Sequence, residues 1–220
     1  MVGIFDSGLG GVFSLFEFRR LCPSVPVCFY ADKSNSPYGE KSEEQILRLT
    51  SDGIEMLMKM GASRVLMACC TASTVHHLLP TELREYSIPI IEPAASEAAA
   101  VLSGGRIGVI STEATKRSGA FLKAIERISP GAEVICEKAP ELVRLAEAYE
   151  FGERLTENGK KIIENAIAPF REQKIDALIL GCTHFAYFER EIKDMIRLPI
   201  INSARVGAVA LMRHIARAEP

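Results

Sequence analysis

The sequence predicts an α/β protein built on parallel sheet, and three observations predict it. Short, almost uninterrupted apolar runs recur along the chain, longer amphipathic segments separate them, and two of the runs end in the same cysteine-containing pattern. A strand covered by helices on both faces is apolar at nearly every position, whereas a half-exposed strand alternates. In chain order the expected strands are Val2–Phe5, Val25–Tyr30, Val65–Ala68, Ile88–Ile91, Ile107–Ile110, Glu133–Ile135, Ala177–Leu180 and Leu198–Ile201.

Local signals mark the helices between them. Ser42 followed by Gln45 is a capping box, opening a helix that runs to about Met60 and stops at Gly61. Ile46, Leu49, Ile54, Leu57 and Met58 give it one apolar face. A second helix is expected from Thr112 to Ile128, ended by Pro130-Gly131, and a third from Glu153 to Phe170. Ser34 to Gly39 reads as a loop whose Tyr38 and Gly39 can close over a small ligand.

Composition bounds the function. The chain has 220 residues, 48% hydrophobic and 25% charged, with a net charge of −2. These are the proportions of a globular protein with one large domain or two small ones. No basic cluster suggests a nucleic-acid partner, and no apolar run of about 18 residues suggests a membrane span. The N-terminus lacks the basic and apolar regions of a secretory signal, so a cytoplasmic protein is expected. There the six cysteines are expected to be thiols. They show no CxxC pair, and with the four histidines they offer no metal-site spacing, so no metal is expected.

The chemistry concentrates at two matched places. Val65–Ala68 runs into Cys69-Cys70-Thr71, and Leu178–Leu180 runs through Gly181 into Cys182-Thr183-His184. The strand entering Asp6-Ser7-Gly8 has a weaker echo in Ile107 to Ser111-Thr112. Two similar halves facing each other across a cleft account for both pairs. Ligands of open α/β sheets bind beyond the carboxyl ends of the strands, where Cys69 and Cys182 both fall. A lone cysteine there is usually a small buried hydrophobe; a matched pair beside hydroxyls points to chemistry. A helix N-terminus after each is expected to lower the thiol pKa. Two opposed thiols suit inversion of a carbon, one taking a proton from one face and the other delivering a proton to the opposite face. Asp6 is placed to reach Cys69, and His184 to tune Cys182. The glycine-rich Asp6 to Gly11 lacks the lysine of a P-loop and the spacing of a dinucleotide fingerprint. It reads as a carboxylate site, a tight turn, or both.

Taken in order, Gly3–Gly11, Pro37–Ser42, Ala68–Ser73, Ile91–Pro93, Thr112–Thr115 and Leu180–Phe185 resemble the successive motifs of glutamate racemases. The resemblance covers nearly the whole chain. It implies two pseudo-symmetric parallel-sheet α/β halves with the active site in the cleft between them. Residues 1–92 and 206–220 would form the first domain, carrying Asp6 and Cys69, and residues 93–205 the second, carrying Cys182 and His184. It implies interconversion of L- and D-glutamate with no cofactor, D-glutamate serving peptidoglycan, and commonly a homodimer. Cys69 would act on the D-enantiomer and Cys182 on the L-enantiomer, assisted by Asp6 and His184. Ser7, Tyr38, Gly39, Cys70, Thr71 and Thr183 would hold the substrate with Asp6 and His184; Thr112 and Thr115 are weaker candidates, and Glu147 matches a position near the second cysteine.

The family pattern at the first cysteine is Cys-Asn-Thr, so Cys70 stands in place of an amide, losing a polar contact of about 1–3 kcal/mol. Ala186 replaces a proline, Ser111 a glycine and Asn202 an aspartate, and the segment Ile88 to Pro93 is shorter. Two other readings stand beside this one. One is a racemase of aspartate or another small acidic amino acid; the other is a catalytically weakened relative that binds a partner, of the kind linked to inhibition of DNA gyrase.

Overall fold

The computed structural model describes residues 1–102, 104–148 and 155–218. The first half of the chain runs β1 (Val2–Asp6), α1 (Val12–Leu21), β2 (Val27–Ala31), α2 (Glu43–Lys59), β3 (Val65–Met67), α3 (Cys70–Ser73), α4 (Thr81–Tyr86), β4 (Ser87–Pro89) and α5 (Ile91–Val101). The second runs β5 (Arg106–Ser111), α6 (Glu113–Ser118), α7 (Ala120–Ile128), β6 (Glu133–Lys138), α8 (Pro140–Ala148), α9 (Glu157–Glu172), β7 (Ala177–Gly181), α10 (Glu189–Ile196), β8 (Ile200–Asn202) and α11 (Ser203–Ala218).

All strand pairs are parallel, in two four-stranded sheets of order β2-β1-β3-β4 and β6-β5-β7-β8. The two orders are the same order repeated. In each sheet the chain starts in the centre, winds outward one way, then returns to wind the other way. The crevice where it reverses lies between β1 and β3 in one sheet and between β5 and β7 in the other, the place where such sheets bind ligands. The motifs read as half-copies therefore occupy equivalent positions: Asp6 matches Ser111 at the end of the first strand, and Cys69 matches Cys182 beyond the third.

β1, β3 and β7 are buried at every residue, which explains their unbroken apolar sequence. The outer strands β2 and β6 are only partly covered. α11 returns to the first sheet, where Ala208 and Leu211 pack with Ile4, Leu66 and Phe18. α5 lies on the other sheet, its Ala94, Ala95 and Ala98 packing with Val109, Ile179 and Phe121. Short alanine side chains let α5 approach closely. Among the described residues no helix is long and apolar enough to cross a membrane.

α2 follows the sequence reading closely. The Ser42–Gln45 capping box forms with both reciprocal bonds, and Gly61, at φ +89°, takes the left-handed conformation past the end. Elsewhere boundaries move. The single helix expected over Thr112–Ile128 is two helices, broken at Gly119, whose φ of +64° no helix accommodates. The strand expected over Ile88–Ile91 ends at Pro89, and Ile91 begins α5 with Pro93 in the first turn, where a missing N–H costs nothing. Strands β2 and β8 start two residues later than their apolar runs. The expected helix start at Glu153 lies outside the described residues; α9 begins at Glu157 after the Thr156 cap.

Candidate active site

Cys69 is the second residue past β3 and the N-cap of α3. Its sulfur accepts from the Ala72 N–H at 3.4 Å and lies 3.2 Å from Ser7 Oγ. Cys182 follows β7 and opens a 3-10 turn, Thr183–Phe188, in place of the expected α-helix. Its sulfur lies 3.6 Å from His184 Nδ1. Both thiols are buried, at 6% and 7% exposure.

The expected lowering of their pKa values does not occur. Burial pushes the Cys69 thiol up to about 11, with the Asp6 charge adding to it, against the Ser7 and Ala72 hydrogen bonds. Cys182 is pushed well above its ordinary range by burial, then by the charges of Cys70 and Cys69. Desolvation wins because the cleft is closed and because α3 is a single turn with little dipole. Both shifts favour the protonated thiols at neutral pH.

Asp6 changes the reading of the glycine-rich turn. One carboxylate oxygen accepts from Gly8 N–H at 2.7 Å, the other from Thr183 Oγ1 at 3.1 Å, and the Gly11 N–H also bonds to it. The anion held by the turn is the chain's own. Asp6 is fully buried and its pKa is raised by burial, an effect opposed by His184 and these three donors. The group at the Cys69 sulfur is Ser7, and Asp6 acts on that thiol through its charge.

The glycines have a second reason to be glycines. A Cβ on Gly10 would lie 2.6 Å from Thr183 Oγ1 and 2.8 Å from the backbone N of His184. One on Gly8 would lie 3.5 Å from the His184 ring, and one on Gly39 would lie 3.0 Å from Thr112 Cβ. The loops of the first sheet thus meet the site-bearing segments of the second at backbone distance. Phe13 of α1 adds an edge-to-face contact with Tyr187, centroids 4.7 Å apart.

Three hydroxyls complete one wall. Thr71 Oγ1 lies 2.9 Å from Thr112 Oγ1 and 3.2 Å from Thr115 Oγ1, and the last two are 2.9 Å apart, all buried. Tyr38 is buried too, but its hydroxyl donates to Asp32 Oδ2 at 2.7 Å, so it lines the site by its ring. Burial and Asp32 push its pKa above the usual range. Asn35 Nδ2 donates to both oxygens of Asp32.

Ser7, Tyr38, Gly39, Cys69, Cys70, Thr71, Thr112, Cys182, Thr183 and His184 all line one cavity of about 20 Å³. Space of that size holds little more than one water. Asp6 lies behind the wall and Thr115 behind Thr112. Glu147 stands at the mouth, accepting from Ser36 Oγ at 3.4 Å across the cleft, between outer cavities of about 210 and 310 Å³. Arg144 lies 3.8 Å from Glu40, and Arg117 donates to the Lys41 carbonyl at 3.0 Å. Sequence reading misses Asp32 and Val143, which sit in no local pattern that marks them, and places Asn35 and Ser36 only as members of the Ser34–Gly39 loop. Among the described residues no cluster of three or more His, Cys, Asp or Glu is arranged to hold a metal ion.

Two like α/β sheets, each presenting a thiol at the equivalent strand end to one closed cleft, have the architecture of a cleft-type isomerase. The family model for Asp/Glu/hydantoin racemases matches residues 18–211. A glutamate racemase of Gloeobacter violaceus is 39% identical over 100% of this chain and 81% of its own. Among solved structures, a glutamate racemase isoform of Bacillus anthracis superposes with a TM-score of 0.91 at 30% identity, covering 100% of this chain and 82% of that one. The Escherichia coli glutamate racemase, in complex with L-glutamate and the activator UDP-MurNAc-Ala, gives a TM-score of 0.79 at 27% identity, covering 100% and 84%. The chain belongs to the Asp/Glu/hydantoin racemase family.

Proposed function

We propose that the chain is a glutamate racemase, interconverting L- and D-glutamate by proton transfer between two thiols, with no cofactor. The observation that carries the reading is the convergence of Cys69 and Cys182 on one buried cavity from equivalent ends of two like sheets. The likeness to glutamate racemases at up to 39% identity, one of them holding L-glutamate, supports glutamate as the substrate.

The chemistry follows from the placement. The Cys69 thiolate takes the α-proton of the D-enantiomer, and Cys182 S–H delivers its proton to the opposite face, leaving L-glutamate and a Cys182 thiolate. The reverse direction exchanges the roles. Burial favours the protonated sulfurs, so the Cys69 thiolate forms as the substrate enters, losing its proton to solvent before the cleft closes, and a substrate ammonium beside the sulfur favours it. His184 exchanges a proton with Cys182, and Asp6 sets the charge around Cys69. Ser7 and Thr71 donate to the substrate's carboxylates, with Thr112 beside Thr71 and Thr115 behind it, while Thr183, its hydroxyl hydrogen given to Asp6, walls the cleft with Tyr38 and Gly39. We assign residues 1–92 and 206–220 to one domain and 93–205 to the other. Substrate passes when the cleft opens at the Ser36–Glu147 contact. The product serves peptidoglycan synthesis in the cytoplasm, and the working form is a homodimer.

The test is α-proton exchange followed by NMR in D2O, with L-glutamate, D-glutamate and both aspartates. Stereo-inverting exchange on glutamate, abolished by Cys69→Ala or Cys182→Ala, is the expected result. Exchange on aspartate alone would make the chain an aspartate racemase, and none on any of the four would overturn the reading.

A further inference from the structure

The cavity between the thiols is too small for an amino acid, so a substrate meets the mouth of the cleft first. At about 20 Å³ it admits little more than one water. Two larger cavities adjoin it, and they differ in charge. One, of about 310 Å³, gathers Glu40, Glu113 and Glu147 against Arg144, and that guanidinium is already paired with Glu141. The other, of about 210 Å³, is lined by Lys33 and Glu147, and shares Ser36 and His184 with the inner cavity as their common wall.

Lys33 is an exposed residue on a well-anchored turn. It opens the 3-10 turn Lys33–Asn35 directly after Asp32. Asp32 is buried, and its carboxylate accepts from the Tyr38 hydroxyl and from Asn35 Nδ2. The Ser36 N–H donates to the Lys33 carbonyl at 3.3 Å. Residues three apart in such a turn lie on one side, and Lys33 and Ser36 line the same cavity. Among the described residues Lys33 makes no ion pair. Lys33 and Glu147 therefore face one space as opposite charges that do not meet, an arrangement complementary to a ligand bearing both signs. Glu147 is tied across the cleft only by Ser36 Oγ, at 3.4 Å, the long end of hydrogen bonding.

We propose that this cavity is an entry site for the acidic amino acid, in which Lys33 takes a carboxylate and Glu147 takes the ammonium. An ammonium at Glu147 draws that carboxylate from Ser36, so the arriving substrate itself releases the contact that closes the mouth. The shared wall of Ser36 and His184 then gives way to the thiols. The acid-rich cavity on the other side of Glu147 repels the same ligand, which leaves entry to the Lys33 side. This rests on the glutamate reading above and adds to it Lys33, which the thiol chemistry does not use.

Steady-state kinetics on L- and D-glutamate with Lys33→Ala, Lys33→Glu and Lys33→Arg test it. Lys33→Ala is expected to lose about two- to fivefold in kcat/KM through KM, the scale of one exposed charge pair, with kcat held within about twofold. Lys33→Glu reverses the charge and should lose roughly tenfold. Its gap to the wild type should narrow as ionic strength rises from about 0.01 to 0.15 M. Lys33→Arg keeps the cation and should retain most of the wild-type value. Unchanged kinetics in Lys33→Glu would overturn the proposal, as would a loss in kcat alone or a gap that salt does not narrow. If the wild-type protein exchanges no α-proton on glutamate, the racemase reading fails by itself, and an amide NMR titration with L-glutamate decides the entry site. Shifts at Lys33, Ser36 and Glu147 that vanish in Lys33→Ala support it; shifts confined to other residues, or none, refute it.

Discussion

Gly10→Ala isolates how closely the two halves must approach. Its φ lies outside the left-handed region, so alanine introduces no backbone strain there. The added Cβ would sit 2.6 Å from Thr183 Oγ1, 2.8 Å from His184 N and 3.0 Å from the Thr183 carbonyl carbon. These fall short of an ordinary 3.4 Å contact by roughly 0.4–0.8 Å. The hydroxyl could swing away, but that breaks its bond to Asp6. The other two atoms are backbone, so relief requires the whole Cys182–His184 segment to move. Overpacking costs about 1–3 kcal/mol, and the lost bond to a buried carboxylate about 1.5–3 kcal/mol. The more restricted unfolded chain offsets about 0.4–1 kcal/mol. A net loss of about 2–5 kcal/mol lowers Tm by roughly 5–15 °C in a protein of this size. Displacing a reacting group by something under 1 Å costs on the order of 100-fold in rate. Calorimetry and initial rates in both directions measure the two effects. A variant with wild-type kcat and a Tm unchanged to about 1 °C would refute the argument and leave Gly10 a turn residue only.

Two further outcomes concern the thiols. With Cys69 at about 11, its thiolate fraction should rise about tenfold per pH unit between pH 7 and 9 when no substrate is added. Iodoacetamide labelling read by peptide mass spectrometry should follow that slope, whereas a plateau below pH 8 would show the thiol to be activated without substrate. Stability should fall in alkali. Cys69 and Cys136 are raised in the folded state from 9.0 to about 11, and Cys70 and Cys182 are raised as well. The folded protein therefore holds protons that the unfolded chain releases. The contribution is complete below pH 9 and is lost as pH rises to about 11, on the order of 2 kcal/mol for Cys69. Urea unfolding from pH 7 to 11 measures it; a midpoint that holds steady above pH 9 would contradict the burial argument.

Much of this protein is legible in its sequence because the decisive signals are local. A strand buried on both faces must be apolar throughout, so β1, β3 and β7 announce themselves. The Ser42–Gln45 box and Gly61 bound α2 by bonds made within a few residues. Cys69 and Cys182 are recognisable because each follows an apolar strand in the same context, and equal contexts imply equal positions in two like sheets. The gap at Gly119 is a local signal as well, but a glycine within an amphipathic run does not declare whether it will take φ +64°.

What only the tertiary structure decided depends on partners distant in the chain. Asp6 to Gly11 carries the composition of an anion site, but Thr183, 177 residues from Asp6, makes the bound anion Asp6 itself. A strand end followed by a helix suggests activated thiols, yet closure of the cleft buries both sulfurs and raises their pKa values instead. Ser36 meeting Glu147 and Thr71 meeting Thr112 have no sequence signature as pairs, because each pairing exists only once the sheets are assembled. Sequence by itself therefore determined the strands, their repeated order of chemistry and the two thiols, since these rest on short-range periodicity and matched motifs. Which groups face those thiols, and in what protonation state, depends on desolvation and long-range hydrogen bonding, which arise only when two halves of the chain exclude water from the surface between them.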